Sequence, residues 1–325
     1  MTTINNSKKI SIIIPVYNEA TNITKLYSEL IVVLSTLQYS YELIFVDDGS
    51  IDDSLIKIKD LAQANPCVFY IEFSRNFGHQ YALKAGLDLS TGDAAITMDC
   101  DMQHPPEVIV SLIAKWNQGF DIVYTRRNDD QNLSWFKRTT SAMYYHFLNW
   151  LSELTLEKGT ADFRLISRNV INAFKGIKEN ELFLRGLVKW AGFRQTAVDY
   201  DPHLRFSGNT KYNLKKMLSF AFSGITAFSV KPLKLVAYVG LFMFILSMIL
   251  IPYALISYFV GQTVPGWTSL IISIIFFGSL QLFMLGIIAL YLSRISVQSK
   301  QRPLYLIRDT NYTNQLGHDN IDGKL

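Results

Sequence analysis

The stretch "TGDAAITMDCDMQHPPE", residues 91–107, is the most informative part of the sequence for the fold. A turn leads into a short apolar run that reaches two carboxylates, Asp99 and Asp101, and stops at a double proline. An apolar run of this length between turn residues predicts a buried β-strand. Two like charges so close repel each other unless a positive group lies between them, and a hard divalent cation with oxygen ligands is the usual solution. A solvated loop is the alternative, and the pair alone leaves both interpretations open.

Similar apolar runs recur along the first 230 residues and alternate with amphipathic segments of helical length. The strand-like runs are "KISIIIPV" (9–16), "YELIFVD" (41–47), "CVFYIEF" (67–73), "DAAITMD" (93–99) and "FDIVYT" (120–125). The helix-like segments cover 20–37, 52–64, 78–89, 106–117 and a longer stretch near 133–155. This alternation predicts an α/β fold, Rossmann-like, in which a mostly parallel sheet carries helices on both faces.

Polar residues follow each of the first four predicted strands, in "PVYNE", "DDGSIDD", "SRNFGH" and "DCDMQHPPE". Ligands of such sheets bind at the carboxyl ends of the strands, so these segments are expected to face one crevice. Two interpretations fit "DDGSIDD". Its residues form a turn and a helix cap, or Asp47 or Asp48 accepts hydrogen bonds from a nucleobase. Arg75 and Asn76 fit either a structural ion pair and turn or a ligand contact. The convergence of four polar strand ends favours ligand binding.

The second region of the chain is apolar throughout. From Leu235 to Ser293 there is no Asp, Glu, Lys, Arg or His, and "GQTVPGW" divides the stretch into runs of about 235–260 and 268–293. Each run is long enough to cross a hydrocarbon core, which needs about 20 helical residues. Buried helices of a soluble core are the alternative, but they seldom stay apolar on every face for so long. We therefore predict two transmembrane helices, the first kinked at Pro252.

The loop inside this apolar region carries no charge, whereas cations flank the region on both sides. These cations are Lys231, Lys234, Arg294, Lys300 and Arg302. Positive flanks stay in the cytoplasm. We therefore expect an integral protein of the cytoplasmic membrane, with an N-terminal domain (1–212), an amphipathic juxtamembrane segment (213–234) and a C-terminal tail (294–325) on the cytoplasmic side. The N-terminus lacks the apolar segment of a cleaved signal peptide.

Cysteine content and charge narrow the functional classes. The chain has two cysteines, Cys67 and Cys100, in strand-like segments, which indicates no disulfide framework and fits a reducing compartment. The net charge of +4 suits a protein that lies against anionic lipid, but it is too small to argue for a nucleic acid partner.

Five ordered motifs together resemble a known family: "SIIIPVYNEATNI", "LIFVDDGSIDDS", "FSRNFGHQYALKAGL", "TMDCDMQHPPEVI" and "GTADFRLISRNV". They are similar to the family 2 glycosyltransferases of the GT-A fold. Within that family the chain most resembles the polyprenyl-phosphate branch, which includes bacterial bactoprenol glucosyltransferases and dolichyl-phosphate mannose synthases. The resemblance extends over nearly the whole chain, including the two apolar runs.

The resemblance implies roles for the residues of the crevice. The nucleotide-binding residues would be Pro15, Tyr17, Glu19, Asp47, Asp48 and Asn76, with the aspartates holding the base. Asp99 and Asp101 would bind a divalent cation, Mg²⁺ or Mn²⁺, and Gln103 would join them. The cation would neutralise the diphosphate of a nucleotide sugar. Asp162 would lie near the reacting sugar as a catalytic residue.

A basic and aromatic region is expected on the acceptor side. "TRRND" (125–129) and "SWFKRTTSAMYYHFLNWL" (134–151) mix cations with aromatic residues, as is typical of a helix at a bilayer surface, with an ordinary packed helix as the alternative. For "RFSGNTKY" (205–212) the resemblance implies a lid over the phosphates, whereas the residues alone fit a plain basic loop. The expected acceptor and diphosphate residues are Arg126, Arg127, Lys137, Arg138, Ser141, Arg205, Ser207 and Lys211.

The function implied is inverting transfer of a single sugar, with glucose from UDP-glucose as the best candidate, to undecaprenyl phosphate or another polyprenyl phosphate. GDP-mannose or a UDP-linked modified pentose is the alternative donor. A processive polysaccharide synthase would carry a Gln-x-x-Arg-Trp motif, which "LRGLVKW" does not supply. A membrane subunit that only binds sugar nucleotides is the non-enzymatic alternative. The sequence leaves open the sugar and the oligomeric state, a homo-oligomer included.

Overall fold

The computed structural model describes residues 8–128, 159–179, 182–202, 231–259 and 266–312. The strands in these residues are β1 Lys9–Val16, β2 Ser40–Asp47, β3 Val68–Phe73, β4 Ala94–Thr97, β5 Ile122–Arg127, β6 Thr160–Ser167, β7 Gln195–Tyr200 and β8 Ile307–Thr310. The helices are α1 Ile23–Ser35, α2 Ser54–Ala64, α3 His79–Leu89, α4 Val108–Asn117, α5 Arg168–Lys175, α6 Leu184–Trp190, α7 Lys231–Phe259 and α8 Trp267–Ser299. The five strands and first four helices expected from the sequence are all present. The longer helix expected near 133–155 lies outside the described residues.

All eight described strands form one sheet in the order β7-β5-β6-β4-β1-β2-β3-β8. The pairs β1/β2, β1/β4, β2/β3 and β5/β7 are parallel, whereas β4/β6, β5/β6 and β3/β8 are antiparallel. The sheet is therefore mixed: it is mostly parallel, as predicted, but β6 and β8 run against the other six described strands. The reason is that β6 returns antiparallel after β5 and inserts between β4 and β5, and that β8 adds to the far edge.

The core explains why the first strands are continuous apolar runs. Ile12, Ile13 and Ile14 of β1 are all fully buried, although neighbouring residues of a strand point to opposite faces of the sheet. Both faces are thus covered, as in other α/β sheets with helices on either side. Helix α1 buries one stripe at a spacing of three to four residues: Ile23, Leu26, Leu30 and Leu34.

Two long helices follow the sheet along the chain. Helix α7 has 29 residues with Pro252 inside it, and α8 has 33 residues. Both apolar runs of the sequence are therefore helical. Within the described residues, one stretch, Phe276–Ser299 in α8, is long and apolar enough to cross a membrane by length and composition, and Leu233–Phe242 in α7 is a shorter apolar stretch.

The chain divides into two compact units. The first contains the sheet and α1–α6, and it also includes the segment from Pro303 onward. The second contains α7 and α8 and ends at Arg302. Strand β8 thus belongs to the sheet of the first unit although it comes after both long helices, in the region that the sequence indicated only as a tail.

Candidate active site

The carboxyl ends of β1, β2, β3 and β4 lie side by side, because these strands are neighbours and parallel. The polar segments that follow them therefore face one crevice, as expected from the sequence. We refer to this edge of the sheet as the crevice.

The loops after β1 and β2 are joined by hydrogen bonds. Asn18 N donates to Ser50 Oγ at 3.0 Å, Ile51 N donates to Asn18 Oδ1 at 2.9 Å, and Glu19 N donates to Ser54 Oγ at 2.9 Å. Asn18 adopts the left-handed conformation with φ 55°, which Asn tolerates better than most residues. The two loops therefore form one rigid wall of the crevice.

The expected nucleotide residues of the first loop differ in exposure. Pro15 is buried within β1, where it pairs with Val46. The side chain of Tyr17 is 40% exposed. Glu19 is half-buried, and its Oε2 accepts a hydrogen bond from Asn22 Nδ2 at 2.6 Å. Tyr17 is thus the residue of this set that presents a large side chain to solvent.

Asp47 and Asp48 are both buried but have different partners. Asp48 accepts hydrogen bonds from the backbone N–H of Phe77 at 2.7 Å and of Gly78 at 3.0 Å. Asp47 Oδ2 accepts one from Ser50 N at 3.1 Å, whereas Oδ1 is buried and receives none from the described residues. Burial raises the pKa of both carboxyls. Asp48 therefore holds the loop after β3 in place, and Asp47 has the spare acceptor.

Gly49 explains how closely these loops pack. A Cβ at this position would lie 2.6 Å from the backbone C of Arg75 and the backbone N of Asn76, and Gly49 has φ +70°. Any other residue would be strained and would push the two loops apart. Asn76, which was expected to contact the nucleotide, is exposed beside this crossing.

Asp99 and Asp101 follow β4, and the residue between them faces the other way. Cys100 is buried and belongs to the hydrophobic core. The backbone N–H of Asp99 donates to His104 Nδ1 at 3.0 Å, and the backbone N–H of Gln103 donates to Asp101 Oδ1 at 3.1 Å. The Asp-x-Asp pair is thus held by its own turn.

Met102, directly after this pair, has φ 64°, a conformation that is strained for a bulky residue. Its side chain is 5% exposed and packs in the core. Strain of this kind persists where the surrounding structure compensates for it, and it concentrates at functional sites. The turn that carries the two aspartates is therefore a strained one.

The donor set of this turn fits a divalent cation. Asp99 Oδ1 is buried and accepts no hydrogen bond from the described residues, although His79 Nε2 lies 3.4 Å away. An anionic oxygen buried in this way is costly unless a cation compensates it. In the described part of the chain no group of three or more His, Cys, Asp or Glu side chains forms a metal site by itself. Two carboxylates plus oxygens of a bound diphosphate would complete one.

Asp162, at the start of β6, is the centre of a charged network. Arg185 donates from Nε to Oδ1 at 2.9 Å and from Nη2 to Oδ2 at 2.8 Å. Arg164 donates from Nη2 to Oδ1 at 2.9 Å, and Gln80 donates from Nε2 to Oδ2 at 3.3 Å. The side chains of Asp162 and Arg164 are 7% and 3% exposed, whereas that of Arg185 is 39% exposed. One guanidinium is thus buried, and the other faces the crevice.

The charges of this network fix the protonation state of its carboxylate. Burial alone would raise the pKa of Asp162, but Arg185 and Arg164 hold it well below its usual range. Burial lowers the pKa of Arg164 to about 10, against the attraction of Asp162. One carboxylate and two guanidiniums leave a net positive charge, so the network can attract an anion but cannot accept a proton near neutral pH.

His79 connects this network to the aspartate pair. Its Nε2 lies 3.4 Å from Asp99 Oδ1 and 3.9 Å from Asp162 Oδ2. On the other side of Asp99, His104 is buried and stacks on Phe163 with ring centroids 5.0 Å apart. The structure therefore brings Asp99 and Asp162, predicted from distant segments, within 4 Å of the same imidazole nitrogen.

The expected acceptor residues are described only in part. Arg126 pairs with Asp199 through Nε–Oδ1 at 2.6 Å and Nη2–Oδ2 at 3.1 Å, at an exposed position. Arg127 is exposed. The others lie outside the described residues: Lys137, Arg138, Ser141, Arg205, Ser207 and Lys211.

Sequence reasoning did not identify Arg164, Arg185, His79 or Gln80 as site residues. Arg164 could have been found, because residues two apart on a strand share a face and Asp162 was already assigned. His79 was visible in "SRNFGH" as part of a polar strand end. Arg185 carried no signal, since it reaches Asp162 from α6, a helix with no motif that marks it.

Comparison with known proteins places the chain in a family. Residues 11–174 match the glycosyl transferase family 2 domain. The chain is 42% identical over 302 residues to an uncharacterised glycosyltransferase of Synechocystis sp., covering 93% of this chain and 95% of that protein. It is 38% identical over 302 residues to a bactoprenol glucosyl transferase of Shigella phage SfV, covering 93% and 98%.

A solved structure of glucosyl-3-phosphoglycerate synthase from Mycobacterium tuberculosis, in complex with Mn²⁺, UDP-glucose and phosphoglyceric acid, superposes with a TM-score of 0.48 at 18% identity, covering 68% of this chain and 78% of that one. The family match and the two relatives, together with the mixed sheet and its crevice, lead to one conclusion. The chain belongs to glycosyltransferase family 2.

Proposed function

We propose that this glycosyltransferase moves one sugar from a nucleotide sugar to the phosphate of a polyprenyl phosphate, with inversion at the anomeric carbon and UDP-glucose as the donor. The observation that carries the proposal is that bactoprenol glucosyl transferases match 92% to 94% of this chain. The match therefore extends beyond the sugar-nucleotide domain into the apolar helices, the part that a lipid acceptor needs.

The donor would lie in the crevice. Asp99 and Asp101, with Gln103, would hold a Mg²⁺ or Mn²⁺ ion, which would supply Lewis-acid stabilisation of the leaving diphosphate. The spare buried oxygen of Asp47 and the exposed ring of Tyr17 would bind the nucleoside, with Pro15, Glu19, Asp48 and Asn76 completing that wall.

The chemistry needs positive charge more than a base. A phosphate monoester carries about −1.5 to −2 charges at pH 7 and is its own nucleophile. One of its oxygens forms a bond to the anomeric carbon as the bond to the donor diphosphate breaks, and the nucleoside diphosphate leaves. Asp162 would not take up a proton, because two guanidiniums keep it ionised. It would orient Arg185, whose exposed guanidinium would face the reacting anions.

The acceptor phosphate would be held by basic residues near the end of β5 and in the segments that follow. The candidates are Arg126, Arg127, Lys137, Arg138, Ser141, Arg205, Ser207 and Lys211. Arg126 would have to exchange Asp199 for phosphate, since the two are paired at an exposed position where such a pair is weak.

Membrane insertion by both α7 and α8 is part of the proposal. β7 precedes these helices, β8 follows them, and both strands belong to one sheet. In the proposal the chain leaves and returns on the same side of a membrane through an even number of crossings. A crossing by α8 through Phe276–Ser299 would then be paired with a crossing by α7. Cationic flanks favour the cytoplasmic side for the sheet, where nucleotide sugars are available.

A panel of nucleotide sugars offered to the purified protein with undecaprenyl phosphate and Mg²⁺ or Mn²⁺ tests this function. UDP-glucose is expected to give a lipid-extractable glucose phosphodiester. If only GDP-mannose or a UDP-linked pentose supports transfer, the proposed donor is wrong but the proposed reaction type stands. Nucleotide binding without transfer from any donor would favour a non-enzymatic membrane subunit.

A further inference from the structure

The segment after the last helix is fastened to the loop after β3. We name residues 303–312 the C-terminal strap. The backbone N–H of Ser74 donates to Leu306 O at 3.0 Å, and Arg308 Nη2 donates to Ser74 O at 2.8 Å. Both backbone polar groups of Ser74 are thus satisfied by the strap. Ser74 is the first residue after β3, so the strap sets where the loop of residues 74–78 begins.

An aromatic chain continues from the strap into this loop. Tyr305 stacks on Phe73 with centroids 5.3 Å apart and planes 13° apart, and Phe73 contacts Phe77 edge-on at 5.6 Å. The hydroxyl of Tyr305 donates to Asp88 Oδ2 at 3.1 Å, and burial keeps its pKa above the usual range. The backbone of Phe77 in turn donates to Asp48. Three successive contacts therefore link Tyr305 to a carboxylate of the crevice.

Buried charge adds to this attachment. The side chain of Glu72, at the end of β3, is 7% exposed and pairs with Arg308 of the strap at 3.3 Å and with Lys59 at 2.9 Å. Lys59 also contacts Asp309 of the strap at 2.9 Å. Without the strap this buried carboxylate would lose one of its two described cations, which is costly in the interior.

The loop has little freedom to move alone. Gly49 brings the backbones of Arg75 and Asn76 against the turn that carries Asp47 and Asp48. A displacement of residues 74–78 would therefore also displace these two carboxylates. Only residues 300–302 separate the end of α8 from the strap, so the segment that positions the loop continues directly from the second long helix.

We propose that the C-terminal strap is a positioning element of the nucleotide site: Tyr305 and Arg308 hold the loop of residues 74–78 against Asp48, so donor binding depends on the segment that follows α8. This inference rests on the proposed function, because it takes the wall formed by Asp47 and Asp48 as the nucleotide site. Tyr305 and Arg308 touch neither substrate; they act through Phe73 and Ser74.

Two tyrosines of the strap provide a matched pair of variants. Tyr312 lies at the other end of the strap, where its ring contacts Phe69 at 4.7 Å and its hydroxyl bonds Glu42 Oε2 at 2.9 Å. Phe69 belongs to the amino-terminal part of β3, away from the crevice. Tyr312→Ala removes an aromatic ring of the strap, as Tyr305→Ala does, but leaves the aromatic chain to the loop intact.

The experiment measures the Kd of the full-length protein for UDP and for GDP with Mn²⁺ by calorimetry, together with the melting temperature. Tyr305→Ala is expected to raise the Kd of the better-bound nucleotide about three- to tenfold, the range for loss of an aromatic pair. Arg308→Gln should act in the same direction. Tyr305→Phe, which keeps the stacked ring, and Tyr312→Ala should stay within about twofold of the wild type.

Equal Kd values for wild type, Tyr305→Ala and Arg308→Gln would overturn the inference while leaving the proposed function intact. So would an equal loss in Tyr312→Ala, because the strap would then contribute only to general stability. A wild type that binds neither UDP nor GDP would instead defeat the proposed function, and the inference with it. If Tyr305→Ala does not fold, the inference is tested by comparing the nucleotide Kd of Arg308→Gln with that of Tyr312→Ala.

Discussion

Arg185 and Asp162 are joined by two parallel hydrogen bonds, from Nε to Oδ1 at 2.9 Å and from Nη2 to Oδ2 at 2.8 Å. This bidentate geometry fixes the plane of the guanidinium as well as its position. Asp162 also bonds the buried Arg164, so its charge is shared between a structural cation and one that faces the crevice. In the proposed mechanism the carboxylate would serve to place a positive charge.

Arg185→Gln should lower turnover by about tenfold or more, since it removes the exposed cation of this pair at a cost of about 1.4 kcal/mol or more in the transition state. Lys189→Gln is the matched control, because Lys189 lies one turn later on α6 and contacts the ring of Tyr124 instead. Turnover with saturating lipid phosphate and nucleotide sugar is the measurement. Equal effects of the two substitutions would contradict a specific role for Arg185.

Asp99→Asn or Asp101→Asn should reduce transfer at least about 100-fold, since a Lewis-acid cation contributes several kcal/mol. Melting temperature should change little, because the strand itself is untouched. Cys100→Ala is the control: its side chain points into the core, so it should cost stability and keep activity. Activity that survives a chelator, or a fully active Asp101→Asn, would rule out the metal site.

The acid limb of the pH profile should come from the acceptor. The second pKa of a phosphate monoester is about 6, so kcat/KM for the lipid phosphate should fall below about pH 6. Asp162 cannot produce this limb, because its depressed pKa keeps it ionised there. The stability it contributes is fully present above its unfolded pKa of about 3.9 and is lost only as pH falls towards the depressed folded value. In Arg185→Gln, kcat/KM should fall at the same pH as in the wild type. A shift of this pH with the substitution would contradict the assignment of the acid limb to the acceptor phosphate.

The two-crossing arrangement can be tested by labelling with a membrane-impermeant thiol reagent in intact cells. With Cys67 replaced by Ser, a cysteine at Gln262 should react from outside, whereas one at Lys300 should react only after permeabilisation. Lys300 is preferable to Asn311, because Asn311 Oδ1 accepts a hydrogen bond from Tyr70 N at 2.8 Å. In the unmodified chain exposed Cys67 is an internal control, since it should be protected until the membrane is opened. Labelling of Lys300 from outside would overturn the orientation.

The first half of the sheet could be predicted well from the sequence. Strands that are buried on both faces are continuous apolar runs, and the helices that connect them are amphipathic. It missed β6 as a strand, since "TADFRLIS" mixes charged and apolar residues. It also missed β8, which is four residues long, contains no buried residue and pairs with β3 from more than 230 residues away. Pairings of that range leave no periodic signal at either partner.

The site residues also divide into those that the sequence could indicate and those that it could not. Asp99 and Asp101 could be singled out as candidates because they follow an apolar run, and Asp162 only because "GTADFRLISRNV" resembles a family motif. Arg185 and Tyr305 could not, since the proposed role of each depends on a tertiary contact with a residue distant in sequence, Asp162 and Phe73 respectively. The roles of the aspartates in the reaction, and those of Lys137, Arg138 and Arg205 in acceptor binding, stay predictions.

The central claim is that the acceptor is the phosphate itself, and its most direct test compares undecaprenyl phosphate with undecaprenol. Purified protein, UDP-glucose labelled in the sugar and Mn²⁺ would be incubated with each lipid, and the organic extract would be counted. The account predicts a labelled phosphodiester from the phosphate and no product from the alcohol, because the described crevice offers cations to position an anion and keeps Asp162 ionised by two guanidiniums. Glycosylation of the free alcohol as fast as its phosphate would contradict it.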